Sequence, residues 1–155
     1  MRIAISTSGG DAPGLNAVIR SATTAAIRHG HEIYGIANGF SGLLDEDQLI
    51  PLDEDRVEGI DRTGGTILGA ASNGAPFGPD GQGLERLLKA FERHRIDALI
   101  MAGGDGTIRI AHTLAQAGVR VVAVPKTIDR DVYGTWTTFG FDTAVATATE
   151  AIDRL

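Results

Sequence analysis

The stretch Met101-Ala-Gly-Gly-Asp-Gly-Thr-Ile108 sets three glycines around one carboxylate, and Val124-Pro-Lys-Thr-Ile-Asp-Arg-Asp131 carries a lysine and two carboxylates. In both, an apolar run reads as a buried strand that opens into a polar loop. Glycines let main-chain N–H groups crowd around a phosphate, and a carboxylate beside them suits a magnesium ion. A second carboxylate, at a neighbouring strand end, is placed to take a proton from an attacking hydroxyl. These residue types in this order equip a chain for phosphoryl transfer. A third segment, Ser8-Gly9-Gly10-Asp11, also follows a strand and precedes a helix, where N–H groups and the helix dipole favour anions. Its plain alternative is a tight turn with Asp11 capping the helix. Its spacing matches neither the P-loop nor the dinucleotide fingerprint.

Within Met101–Ile108, Asp105 would coordinate magnesium while Gly104, Gly106 and Thr107 donate to phosphate oxygens. A turn needs only one glycine, so three of them point to a ligand. The alternative makes Asp105 or Thr107 an ordinary N-cap. In Val124–Asp131, Lys126 would compensate phosphate charge as a point cation, and one of Asp129 and Asp131 would act as base while the other supports metal or orients a neighbour. An acidic surface turn is the competing reading. The four histidines, at 29, 31, 94 and 112, form no zinc-like spacing, and no serine sits in a nucleophile elbow. Asp45-Glu46-Asp47 and Asp53-Glu54-Asp55 read as solvated acidic faces.

Strands are expected at residues 2–7, 32–36, 49–50, 66–68, 97–102 and 119–124. Helices are expected from Leu15 to His29, over 53–62, through Leu84, Leu87, Leu88 and Phe91, over 107–117 and over 142–155. Residues 71–83, rich in Gly, Pro, Asn and Asp, read as a loop. The strands are continuous apolar runs, as expected for strands buried on both faces. The fold class is therefore α/β, a doubly wound, mostly parallel sheet flanked by helices. Ligands bind such sheets beyond the carboxyl ends of the strands, where all three loops fall.

The 155 residues suit one domain with a proper core. With no cysteine, disulfide stapling is excluded. A net charge of −6 and no basic stripe argue against nucleic-acid binding. No apolar run approaches the roughly 18 residues needed to span a bilayer, and the N-terminus enters a strand at once; the expected compartment is cytoplasmic.

Five blocks in order resemble the N-terminal part of the 6-phosphofructokinase family: Thr7-Ser-Gly-Gly-Asp-Ala-Pro-Gly-Leu-Asn-Ala17, Gly64-Gly-Thr-Ile-Leu-Gly69, Gly103-Gly-Asp-Gly-Thr107, Pro125-Lys-Thr-Ile-Asp129 and Glu150-Ala-Ile-Asp-Arg-Leu155. The resemblance covers essentially the whole chain. It implies transfer of a phosphoryl group from ATP, or from pyrophosphate in some branches, to the 1-hydroxyl of fructose 6-phosphate. It places Gly10, Ser72, Asn73, Gly104, Asp105, Gly106, Thr107 and Lys126 around the phosphoryl donor, with Asp105 on Mg2+. Thr127, Ile128 and Asp129 would meet the sugar, Asp129 as general base and Asp131 in support. A small residue at Gly106 goes with ATP in this family, whereas Lys126 resembles the pyrophosphate branch; ATP is the expected phosphoryl donor. The full-length family chain implies a homo-oligomer.

The chain departs from the family in four places. Ser72-Asn73 stands where an arginine usually bridges the transferring phosphate, which removes a charge-assisted contact. Arg130 replaces the usual asparagine, either to restore that charge or to pair with Asp131. Arg20 matches a basic effector position, but Thr24 replaces the arginine expected one turn later. Family chains are about twice as long, so residues 1–155 read as one truncated donor-binding domain with the sugar-phosphate domain absent and the final helix still running at Leu155. The competing function is a non-catalytic nucleotide-binding module.

Overall fold

The computed structural model describes residues 1–45, 47–71 and 83–155. Six strands form one sheet in the order β3-β2-β1-β4-β5-β6. They are β1 (Arg2–Thr7), β2 (Glu32–Ile36), β3 (Ile50–Pro51), β4 (Ala98–Gly103), β5 (Val121–Thr127) and β6 (Phe139–Gly140). All neighbours are parallel except β2 and β3. Six helices accompany them: α1 (Leu15–Arg28), α2 (Ser41–Leu44), α3 (Glu54–Val57), α4 (Gly83–His94), α5 (Asp105–Gln116) and α6 (Phe141–Asp153). The doubly wound architecture expected from the apolar runs is present.

Side chains alternate across the pleat and divide the core in two. Ala4, Leu99 and Met101 face α4 and α5, packing with Leu87, Phe91, Ala111 and Leu114. Ile5 and Ile33 face the other way, onto α1 and α3 through Ile19, Ala26 and Val57. The central strands β1 and β4 are thus covered on both faces, which fixes where their carboxyl ends emerge.

Several boundaries differ from the sequence expectation. Thr66–Leu68 is a turn rather than a strand, because Leu68 packs against Gly35 instead of extending the sheet, its Cδ2 lying 2.3 Å from where a Cβ on Gly35 would stand. The helix expected over 53–62 breaks into α3, capped by Asp53 accepting from the Arg56 N–H at 2.8 Å, and a 3-10 turn at Ile60–Arg62. Gly59, with φ +72°, separates them. The final helix ends at Asp153 and buries none of its residues, so its alanine-rich stripe faces outward. Strand β5 is covered on one face only: Val121 and Ala123 pack on the core, while Val122 is 63% exposed beside a groove of about 570 Å3 lined by Ala17, Val18, Ile100, Val124 and Phe139. The loop expected at 71–83 lies, but for its two ends, outside the described residues.

Candidate phosphate-transfer site

Strands β1, β4 and β5 are parallel neighbours, with Thr7 opposite Ala102 and Gly103 opposite Pro125. Their carboxyl ends therefore release three loops side by side. The Ser8 N–H donates to the Ala102 carbonyl at 3.0 Å, continuing the β1–β4 ladder into the first loop. The ammonium of Lys126 donates to the Gly10 carbonyl and joins the third loop to the first. A Cβ on Gly9 would stand 3.9 Å from both the Gly104 nitrogen and the Lys126 Nζ, so all three loops meet there.

The glycines at this edge divide into two kinds. Gly9 has φ +80°, a conformation that favours glycine over residues with a Cβ. Gly103 has no room for one: a Cβ would lie 2.2 Å from Thr107 Oγ1 and 2.7 Å from the Ser8 carbonyl. Gly10, Gly104 and Gly106 are constrained by neither. Added Cβ atoms there would meet, respectively, only Lys126 Nζ at 4.0 Å, only the Lys126 carbonyl at 3.6 Å, and nothing within 4 Å. Folding demands Gly9 and Gly103, and it leaves the other three unexplained.

Helix α5 starts immediately after this turn. Gly104 is its N-cap in extended conformation, and no side chain caps it. Neither Asp105 nor Thr107 is therefore an N-cap. The helix itself offers no acceptor to its first N–H groups, those of Asp105, Gly106 and Thr107. Asp105 is half exposed and accepts from Arg109 Nε at 2.8 Å. Thr107 is buried, and its hydroxyl lies beneath Gly103. Helix α1 likewise begins from Gly14 with no side-chain cap, so Asp11 is not a capping residue; it stands exposed at the site edge.

At the end of β5, beyond the strand expected at 119–124, Lys126 and Thr127 are buried, at 6% and 5% exposure, while Ile128, Asp129 and Asp131 in the loop that follows face solvent. Burial pushes the Lys126 ammonium below its usual pKa, and the carboxylates of Asp11, Asp129 and Asp131 push it back up. The Thr127 hydroxyl donates to Asp131 Oδ1 at 2.5 Å and accepts from the Asp129 N–H at 3.0 Å. Thr138 closes the loop from beyond, its hydroxyl donating to the Thr127 carbonyl at 3.0 Å. Between these residues, Tyr133 and Trp136 are fully exposed.

Arg130 does neither of the things its position suggested. Its guanidinium turns to α6, 2.9 Å from Asp142 and 3.8 Å above the Phe141 ring, and Asp131 binds Thr127 instead. Arg20 pairs with Asp61 at 3.4 Å. Ser72 and Asn73 lie outside the described residues. The sequence reading missed Arg109, for which the i,i+4 spacing from Asp105 was the available signal.

Among the described residues, no three His, Cys, Asp or Glu side chains converge into a metal cage. The exposed Asp105 carboxylate beside the uncapped N-terminus of α5 does fit Mg2+, which keeps waters and takes remaining oxygens from a bound phosphate. Among the described residues, no helix is long and apolar enough to cross a membrane.

A doubly wound, mostly parallel sheet with three loops clustered at the carboxyl edge of β1, β4 and β5 defines an α/β domain of the class that binds ligands at that edge. A family model, Phosphofructokinase, matches residues 2–155, and the chain belongs to that family. It is similar to ATP-dependent 6-phosphofructokinase 3 of Streptomyces coelicolor, 51% identical over all of this chain and 45% of the relative. It is also similar to the pyrophosphate–fructose 6-phosphate 1-phosphotransferase of Amycolatopsis methanolica, 49% identical with the same coverage. Among solved structures, Pichia pastoris phosphofructokinase in the T-state superposes with a TM-score of 0.86 at 32% identity, over 99% of this chain and 18% of that one. The chain thus spans about half the length, or less, of these relatives.

Proposed function

We propose that this chain is the phosphoryl-donor-binding part of a 6-phosphofructokinase, a transferase that converts ATP and fructose 6-phosphate to ADP and fructose 1,6-bisphosphate. The carrying observation is the convergence of the three loops, with Lys126 bonded to Gly10 and the uncapped N-terminus of α5 beside it. Gly10, Gly104, Gly106 and the N–H groups of Asp105 and Thr107 hold the donor's phosphates. Asp105 holds Mg2+, which when bound neutralises charge on those phosphates. Lys126 supplies a second, fixed positive charge from below.

Asp129 takes the proton from the sugar's 1-hydroxyl as that oxygen attacks the terminal phosphorus. Thr127 holds the Asp129 backbone and the Asp131 carboxylate in register. Asp131 in turn supports the loop, and Ile128 borders the sugar. The chemistry asks for positioning and charge neutralisation more than covalent help, and this edge offers both. Residues 1–155 then form one donor-binding domain, and the longer relatives carry most of the sugar-phosphate pocket in sequence beyond the matched part. The family's full-length form assembles as a homo-oligomer and works in the cytoplasm.

ATP is favoured over pyrophosphate by Gly106, where the helix surface opens to solvent and glycine has no structural cause. The pyrophosphate reading rests on Lys126 and on the name of the Amycolatopsis relative. Coupled detection of fructose 1,6-bisphosphate, with each donor in turn, tests both. Product from ATP that vanishes in Asp129→Ala is the expected result. Nucleotide-induced thermal stabilisation without product from either donor leaves a binding module and overturns the catalytic reading.

A further inference from the structure

Arg109 lies one turn into α5 from Asp105, and its side chain is 79% exposed yet committed to the carboxylate that the functional reading gives to the metal. An acid four residues before a base on a helix is a favourable pair, and an exposed one is worth little as stability. Its location gives it another consequence. Asp105 is neither a cap nor buried, so Arg109 is its one partner among the described residues. The two cations nearest in and after β5 are engaged elsewhere, Lys126 with Gly10 and Arg130 with Asp142 and the Phe141 ring. Arg109 is the more exposed of the two arginines, 79% against 49% for Arg130, and it can turn from a carboxylate to a phosphate without disturbing packing.

We infer that Arg109 is a positioning residue that exchanges partners: it neutralises Asp105 while the site is empty, and it moves to a donor phosphate oxygen when the metal–donor complex arrives. The inference rests on the proposed donor site. Free divalent cation meets a carboxylate already paired with a fixed positive charge and is held weakly. The metal–donor complex brings a phosphate for the displaced guanidinium, so nothing is left unpaired. The ion then enters with the donor rather than ahead of it. The same exchange restores, from α5, an arginine–phosphate contact of the kind missing at Ser72-Asn73.

The test compares the full chain with Arg109→Met, which keeps length without charge, and Arg109→Lys, which keeps the charge. Mn2+ alone is titrated by electron paramagnetic resonance, and MgATP by calorimetry. Arg109→Met is expected to bind Mn2+ alone about two- to fivefold tighter and MgATP about tenfold weaker, with Arg109→Lys near wild type in both. These opposite signs are not what a merely structural role produces. MgATP binding by the wild type with both affinities unmoved, or both moved the same way, in Arg109→Met overturns the exchange while leaving the donor site standing. Arg109→Lys matching Arg109→Met overturns it as well. A wild type that binds no MgATP removes the donor site itself, and the exchange with it.

Discussion

The Lys126 ammonium donates to the main-chain carbonyl of Gly10, a partner 116 residues earlier in the chain. This bond ties the end of β5 to the loop after β1 across the intervening strand β4, and it leaves two of the three ammonium N–H groups for other partners. A buried cation held between two converging loops has a measurable pH signature.

Burial lowers the Lys126 pKa in the folded chain below the unfolded value of 10.5. Between the two values the unfolded chain binds the extra proton, so stability rises with pH through that window. Below that window both states are protonated and the burial cost is fully present. Denaturant unfolding of wild type and Lys126→Met should therefore show the wild type gaining relative to the variant as the pH rises towards 10.5. A constant difference across that range would mean the ammonium is hydrated in the folded state.

The two kinds of glycine make a paired prediction. Gly103→Ala should destabilise the fold by about 1–3 kcal/mol, since the new methyl overlaps Thr107 and the Ser8 carbonyl. Gly106→Asp should leave the melting temperature within a degree or two of wild type, as for a surface change in open space. It should nevertheless abolish ATP binding by calorimetry. Unchanged ATP affinity in Gly106→Asp would move the donor away from α5.

Thr127→Val removes one buried hydroxyl and with it both the 2.5 Å bond to Asp131 and the bond from the Asp129 N–H. The expected loss is about 1–3 kcal/mol of stability by chemical denaturation. Phosphoryl transfer should fall at least tenfold, because the base loses its fixed backbone. Equal activity would show that Asp129 is held by other contacts.

Arg130→Asn keeps a residue that tolerates the positive φ of +56° but deletes the clamp on Phe141 and Asp142. With no buried residue in α6, that clamp is a main anchor of its N-terminal turn. Hydrogen exchange should quicken in residues 141–146 and stay unchanged in α5. The global stability should drop by no more than about 1 kcal/mol, as expected for an exposed cation–π pair.

The sequence made the central strands legible because β1, β2 and β4 are largely apolar runs that lead into glycines, and β5 begins with the apolar run Val121–Val124 before Pro125; it placed the three loops at their carboxyl ends correctly. Two short elements escaped it. Phe139–Gly140 is too short to show a period, and α2 at Ser41–Leu44 carries no cap signal. Thr66–Leu68 looked like a strand for its apolar residues, which in fact serve a turn. At the site, residue types indicated phosphate chemistry, but partner choice was out of reach. Nothing in the order of residues says that Arg130 reaches Asp142 rather than Asp131, or that Lys126 is buried; both depend on how separate loops come together in space.

Trp136 is the sole tryptophan of the chain, and it stands 98% exposed on the loop that follows Asp131. Its indole is bathed in water in the native protein much as it is in the denatured one. Intrinsic emission will thus barely register global melting, although a sugar phosphate or polypeptide settling over that loop will shift it to the blue. Calorimetry or circular dichroism must follow the unfolding, while fluorescence is left free as a dedicated gauge of occupancy.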